Sequence, residues 1–132
     1  MLKPIGVVRS SLRRREDAPR QGDEGAPEAT ISLRPPFVDA LEGVGVGDEI
    51  VVVTWLHLAD RGVLQVHPRD DLSRPLTGVF ATRSSDRPNP LGLHRVTVLA
   101  IDGAEVRVGT LEAIDGTPVV DIKSVLRARP RR

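Results

Sequence analysis

The sequence predicts a mainly β fold: a small single-domain barrel spanning residues 1–132, closed or partly open, with long loops. Three observations predict it. Short β-rich runs bounded by Gly, Pro and Asp recur along the chain, and no long segment shows an apolar repeat of 3.6 residues. About seven short strands in one small domain must also close or sandwich to avoid long exposed edges.

The elements follow in order. Residues 5–9 form a first strand. Residues 29–33 form a second, with Ile31 and Leu33 on one face and Thr30 and Ser32 on the other. After Pro35-Pro36, residues 37–41 make one helical turn. Residues 50–58 are a third strand, placed centrally because 50–53 is apolar on both faces. Residues 78–82 give a short fourth strand. Residues 95–101 and 105–111 flank Asp102-Gly103, a pair suited to a tight hairpin turn needing positive φ at two positions. Residues 119–122 add a last strand. Residues 13–27 and 66–76 resist the pattern and read as long loops, and residues 127–132 read as a basic, solvated tail.

Composition excludes several classes of function. The 19 Lys and Arg balance 18 Asp and Glu to a net charge of +1, so any polyanionic partner must be held by a local patch. With no Cys there is no disulfide framework, thiolate metal site or cysteine nucleophile, and a cytoplasmic location is expected. The longest apolar candidate, residues 50–58, contains Thr54 and His57 and falls short of the roughly 18 residues of a membrane span. Residues 1–10 are likewise too short and too broken for a signal sequence. No membrane partner is expected.

Gly43-Val44-Gly45-Val46-Gly47 precedes a strand instead of opening a helix, so it reads as a turn and not as a phosphate cradle. His57, His67 and His94 lack the spacing of a common zinc site, and no metal is expected. His67 and His94 read as exposed or edge-strand residues. His57 ends an apolar strand beside Trp55, where it either looks into a pocket or is a hydrogen-bonded structural residue. The densest chemistry lies in residues 80–92, where Arg83, Arg87, two serines, Asp86 and Asn89 share a loop braced by Pro88 and Pro90. Such a loop has little ordering entropy left to lose on binding a small polar ligand. A surface turn with an Arg-Asp pair explains the same residues equally well. Asp115-Gly116-Thr117-Pro118 is by itself an ordinary turn.

Taken together, these blocks resemble the TsaA-like (YaeB, TrmO-type) family of S-adenosylmethionine-dependent tRNA methyltransferases. The resemblance rests on residues 4–10, on Pro19-Arg20-Gln21, on Trp55-Leu56-His57, on the Thr-Arg-Ser-x-x-Arg-Pro-Asn-Pro-x-Gly run at 82–92, and on residues 111–123. It implies a β-barrel that binds S-adenosylmethionine, usually as a homodimer. By motif position it implies cofactor contacts from Pro19, Arg20, Gln21, Leu56, His57, Arg83, Leu93, Asp115, Gly116, Thr117 and Pro118. Arg83 or Arg20 would grip the carboxylate, Asp115 would accept from the ribose or ammonium group, and Leu56 would supply apolar wall. Backbone carbonyls near Leu93 and Thr117 would face the adenine or the sulfonium.

The implied reaction is N-methylation of threonylcarbamoyladenosine beside the tRNA anticodon. His57 and Asp121 are the candidate proton acceptors for its weakly nucleophilic amine. A small-metabolite acceptor is the second reading, because longer family members carry sequence after the barrel and this chain offers only Trp55, Phe37 and Phe80 for base stacking. Against that, residues 13–15 and the basic tail suit phosphates. A third reading is a non-catalytic sensor of S-adenosylmethionine. His94-Arg95 stands where the family pattern leads one to expect small or apolar residues.

Overall fold

A computed structural model describes residues 2–13 and 27–125. Among them eight strands form: β1 (Gly6–Arg9), β2 (Ala29–Leu33), β3 (Glu49–Trp55), β4 (Gln65–Val66), β5 (Thr77–Gly78), β6 (Leu91–Asp102), β7 (Glu105–Gly109) and β8 (Pro118–Ser124). Six close into an antiparallel barrel in the ring order β1-β2-β7-β6-β3-β8, and β8 pairs back onto β1. β4 and β5 pair only with each other, forming a small arm inserted between β3 and β6.

Strand periodicity builds the interior. Every second residue of β2, β3 and β7 points inward, which buries Ile31, Ile50, Val52, Val106 and Val108 with Val8, Val98 and Val119. These β-branched side chains fill a pleated surface well. Gly6 is required by close approach, since a Cβ there would lie 2.5 Å from the Ser32 carbonyl oxygen across the β1–β2 pair. Bulges at Val53/Thr54 and at Val98/Ala100 bend β3 against β8 and β6 against β7.

Ring order decides what covers the ends. β2 and β3 are not neighbours, so the connection at 34–48 crosses one end of the barrel. It carries a 3₁₀ helix, Pro35–Leu41, and packs Val38, Leu41 and Val44 onto the core. β7 and β8 are also separated in the ring, so residues 110–117 must cross the other end. That segment buries Leu111, Ala113, Ile114 and Thr117. The barrel is plugged from both sides by its own connections.

The sequence-based reading holds for the mainly β class and for closure, and differs in detail. The third strand ends at Trp55, short of residue 58, because the chain then turns, with the Ala59 amide bonded to the Leu56 carbonyl oxygen. The expected fourth strand at 78–82 is two strand residues followed by a 3₁₀ turn, Val79–Ala81. The stretch 66–76 is mostly the β4–β5 arm. Its Asp71 carboxyl is held below the usual carboxylate range, first by the Ser73 hydroxyl and then by the Ser73 amide. The β6–β7 hairpin turns through Gly103 and Ala104, with positive φ at Gly103 alone (60°). β6 begins four residues earlier than expected, at Leu91 instead of 95, and this places His94 inside the barrel. Its neighbour Arg95 faces outward and bonds Glu49 at 2.8 Å. The 14–26 part of the first long loop and the tail at 126–132 lie outside the described residues.

Ile31 is wholly buried in the middle of β2. Ile31→Ala is expected to lower stability by about 2–5 kcal/mol, read as a shift of the urea unfolding midpoint at unchanged slope.

Candidate functional site

Antiparallel pairing sends β1, β3 and β7 out of the barrel at the end where β2, β6 and β8 enter it. This rim therefore collects residues 10–13, 27–28, 56–57, 89–90 and 110–117. Four of the blocks singled out in the sequence meet there.

The crossing segment docks onto the end of β1 through its backbone. The amides of Asp115 and Gly116 bond to the carbonyls of Leu12 and Val8, and the Thr117 carbonyl accepts from the Val8 amide. Asp115 Oδ1 accepts from the Ser10 amide at 2.9 Å, and its Oδ2 lies 3.5 Å from Arg13 Nη1. Gly116 adopts φ 86°, a left-handed turn suited to glycine. Thr117 is buried, and its hydroxyl donates to the Ile114 carbonyl. The polar groups of Thr117 are thus spent on the fold, whereas the half-buried Asp115 carboxylate reaches a cleft. Asp115 lines an open cleft of about 360 Å³ together with Arg9, Arg13, Glu28 and Arg107.

The proline-braced loop divides its two arginines between different tasks. Arg87 reaches back to the carbonyls of Val79, Thr82 and Ser84 at 2.8, 3.2 and 2.9 Å, closing the loop on itself. Arg83 is exposed and has no ion pair among the described residues. Asp86 accepts from the Asp60 amide, while Arg61 bonds Pro88 and Asn89 and lies 5.1 Å over the Trp55 ring. The loop is thereby fixed against residues 55–61, beside half-buried Leu56 and exposed His57. The His57 ring takes no hydrogen bond among the described residues, so it does not fit the hydrogen-bonded structural reading.

The other candidates fall differently. Leu93 lies on the outer surface of β6, 53% exposed, two residues past Leu91. Asp121 is in mid-strand, opposite Val53. It accepts from the Ile122 amide, pairs with Lys123 at 3.2 Å, and borders a small apolar cavity beneath the 3₁₀ helix at the far end. Pro19, Arg20 and Gln21 lie outside the described residues; residues 13 and 27, which lead into and out of that segment, are both at the rim. Among the described residues, loop 82–92 shares the rim with the Asp115 cleft but does not line it.

Sequence reasoning placed His94 at the surface. It is 5% exposed, with Nε2 2.7 Å from Thr54 Oγ1 and Nδ1 2.5 Å from Glu112 Oε1. Neither Thr54 nor Glu112 stood out in the sequence. The signal available was the alternation Leu91-Gly92-Leu93-His94 running into β6. Among the described residues no group of three or more His, Cys, Asp or Glu is placed to hold a metal, and no helix is long and apolar enough to cross a membrane.

Residues 7–128 match the family model described as the tRNA-methyltransferase O N-terminal domain. A probable S-adenosyl-L-methionine-binding protein of Methanothermobacter thermautotrophicus is 47% identical over 92% of this chain and 87% of its own length. An S-adenosyl-L-methionine-binding protein of Archaeoglobus fulgidus is 40% identical over 93% and 87%. The crystal structure of TrmO from Pseudomonas aeruginosa superposes with a TM-score of 0.75 at 32% identity, covering 96% of this chain and 55% of that one. The chain thus spans about half the length of the TrmO chain it matches.

Replacing Arg87 by Met keeps the apolar stem and removes three hydrogen bonds. Arg87→Met is expected to cost about 1.5–3 kcal/mol, whereas Arg83→Met should leave the urea midpoint at the wild-type value.

Proposed function

Because the chain belongs to the tRNA-methyltransferase O N-terminal domain family, we propose that it is an S-adenosylmethionine-dependent methyltransferase that N-methylates threonylcarbamoyladenosine beside the tRNA anticodon. The observation that carries the reading is Arg83, which has no ion pair among the described residues, held on a braced loop at the same barrel end as the Asp115 carboxylate.

The donor set at the rim fits the cofactor. S-adenosylmethionine presents a carboxylate, an ammonium, a ribose diol, a sulfonium and an adenine. Arg83 supplies a cation with paired N–H donors for the carboxylate. Asp115 supplies an anion for the ammonium or the diol, and Leu56 supplies apolar surface. Arg20 and its neighbours in the connection from residue 13 to 27 are further contacts under the same reading. When bound, the cofactor supplies a methyl group on a sulfonium that is already a good leaving group.

What remains for the protein is alignment and proton removal. Fixed loops align the acceptor nitrogen with the methyl group, and such orientation can account for much of a displacement rate. His57, unengaged at the rim, takes the proton of the carbamoylated amine. Asp121 is tied to Lys123 away from the rim and is left to the strand. Exposed Arg9, Arg13 and Arg107 outnumber the Glu28 and Asp115 carboxylates of the rim cleft, with Arg13 and Arg107 paired to them, which leaves Arg9 as the cation offered to a phosphate.

Two further attributes belong to the reading. Leu91, Leu93 and Phe80 stand exposed near one another in sequence, as expected for a face covered in a homodimer. A cytoplasmic location follows from a tRNA substrate. A small-metabolite acceptor is the second reading, favoured by the scarcity of stacking aromatics: one Trp, two Phe and no Tyr.

Calorimetry should detect binding of S-adenosylmethionine, weakened about tenfold or more in Arg83→Ala. Turnover should fall by about 10²–10⁴ in His57→Ala. Mass spectrometry of tRNA from cells lacking the protein should show threonylcarbamoyladenosine without its methyl group. Unchanged methylation there, with methyl transfer to a metabolite extract, selects the second reading; binding with no transfer to either acceptor selects a sensor.

A further inference from the structure

One polar chain runs through the otherwise apolar barrel interior. It links Thr54 on β3, His94 on β6 and Glu112 on the crossing segment by contacts of 2.7 and 2.5 Å. Aliphatic side chains would be the less costly filling here, because every buried polar group must find a partner. In this case each has one: no buried side-chain nitrogen or oxygen among the described residues lacks a partner. Room for the chain comes from Gly92, where a Cβ would lie 2.5 Å from Thr54 Oγ1 and 2.7 Å from His94 Nε2.

The direction of the bonds follows from the groups. A carboxylate only accepts, so Nδ1 carries a proton; in the neutral ring Nε2 then accepts from the Thr54 hydroxyl. A hydroxyl, an imidazole and a carboxylate in line is the order that activates a nucleophile in hydrolases. Here Thr54 is 0% exposed, so no substrate reaches its oxygen.

The chain does reach the segment that crosses the barrel mouth. Leu111, Ala113 and Ile114 hold that segment down by apolar burial, which is non-directional, while backbone bonds tie Leu111 to Pro27 and residues 115–117 to Val8 and Leu12. The bond from His94 to Glu112 is directional too, and it ties the middle of the segment, between those backbone bonds, to the β6 wall. Asp115 follows three residues later. We infer that His94 is a positioning residue that, together with those backbone bonds, fixes the register of residues 110–117 and so helps to place the Asp115 carboxylate at the rim. The inference rests on the reading of Asp115 as a cofactor contact.

Amide hydrogen exchange on the full chain tests it. In Glu112→Ala the amides of Leu111, Asp115, Gly116 and Thr117 should exchange at least about tenfold faster while β2 and β7 keep wild-type rates. Glu112→Gln keeps an acceptor for the Nδ1 proton and should restore protection; Thr54→Val should fall between. Affinity for S-adenosylmethionine, measured by calorimetry on the same proteins, should weaken in step with the exchange. Acceleration spread evenly over the barrel, no change at 111–117 in either Glu112→Ala or His94→Ala, or localised exchange with undiminished affinity would each overturn the inference. If exchange is localised but the wild-type protein takes up no S-adenosylmethionine, the register role of His94 stands and the cofactor reading fails.

Discussion

The structure depends on one topological constraint: β7 and β8 stand apart in the ring, so the chain joining them has to pass over the barrel mouth. A connection in that position is pressed into two kinds of duty. Its apolar residues must seal the interior that the strands leave open, and its polar backbone must find partners at the rim. Both are met, by the burial of Leu111, Ala113 and Ile114 and by the bonds to Val8 and Leu12. The segment is consequently tied to the barrel by both burial and hydrogen bonds. A carboxylate carried on it, such as that of Asp115, is held with little conformational freedom, which favours binding.

The barrel was legible in the sequence wherever inward positions are apolar. In β2, β3 and β7, Ile31, Ile50, Val52, Val106 and Val108 alternate with polar or half-exposed neighbours, and closure followed from the number of short strands. The start of β6 was illegible because it inverts the rule. There Gly92 and His94 face inward while Leu91 and Leu93, 41% and 53% exposed, face outward. A reader of hydrophobicity puts His94 on the surface, and only the pairing with β3 shows otherwise. The Asp102-Gly103 hairpin was found by its turn chemistry, with the turn itself displaced by one residue.

The candidate site was legible in its parts but not in its division of labour. Arg83 and Arg87 look equivalent in the loop sequence, and no spacing rule separates them. Three-dimensional closure does: Arg87 donates to the carbonyls of Val79, Thr82 and Ser84 and so braces the loop, and Arg83 makes no ion pair among the described residues. Asp115, an ordinary turn residue by sequence, acquires its standing from the Ser10 amide and from the neighbouring arginines. Thr117 moves the opposite way, from a proposed contact to a buried strut.

The arm at residues 56–90 departs from and returns to strands that are hydrogen-bonded to each other along their whole paired length, Glu49 to Trp55 against Leu91 to Thr97. Closure of the barrel therefore makes no demand on what lies between them. Such an excursion can be lengthened, shortened or exchanged for another without refolding the scaffold, as a graft on a fixed stock. Diversification of what the molecule recognises is then uncoupled from the packing that keeps it folded.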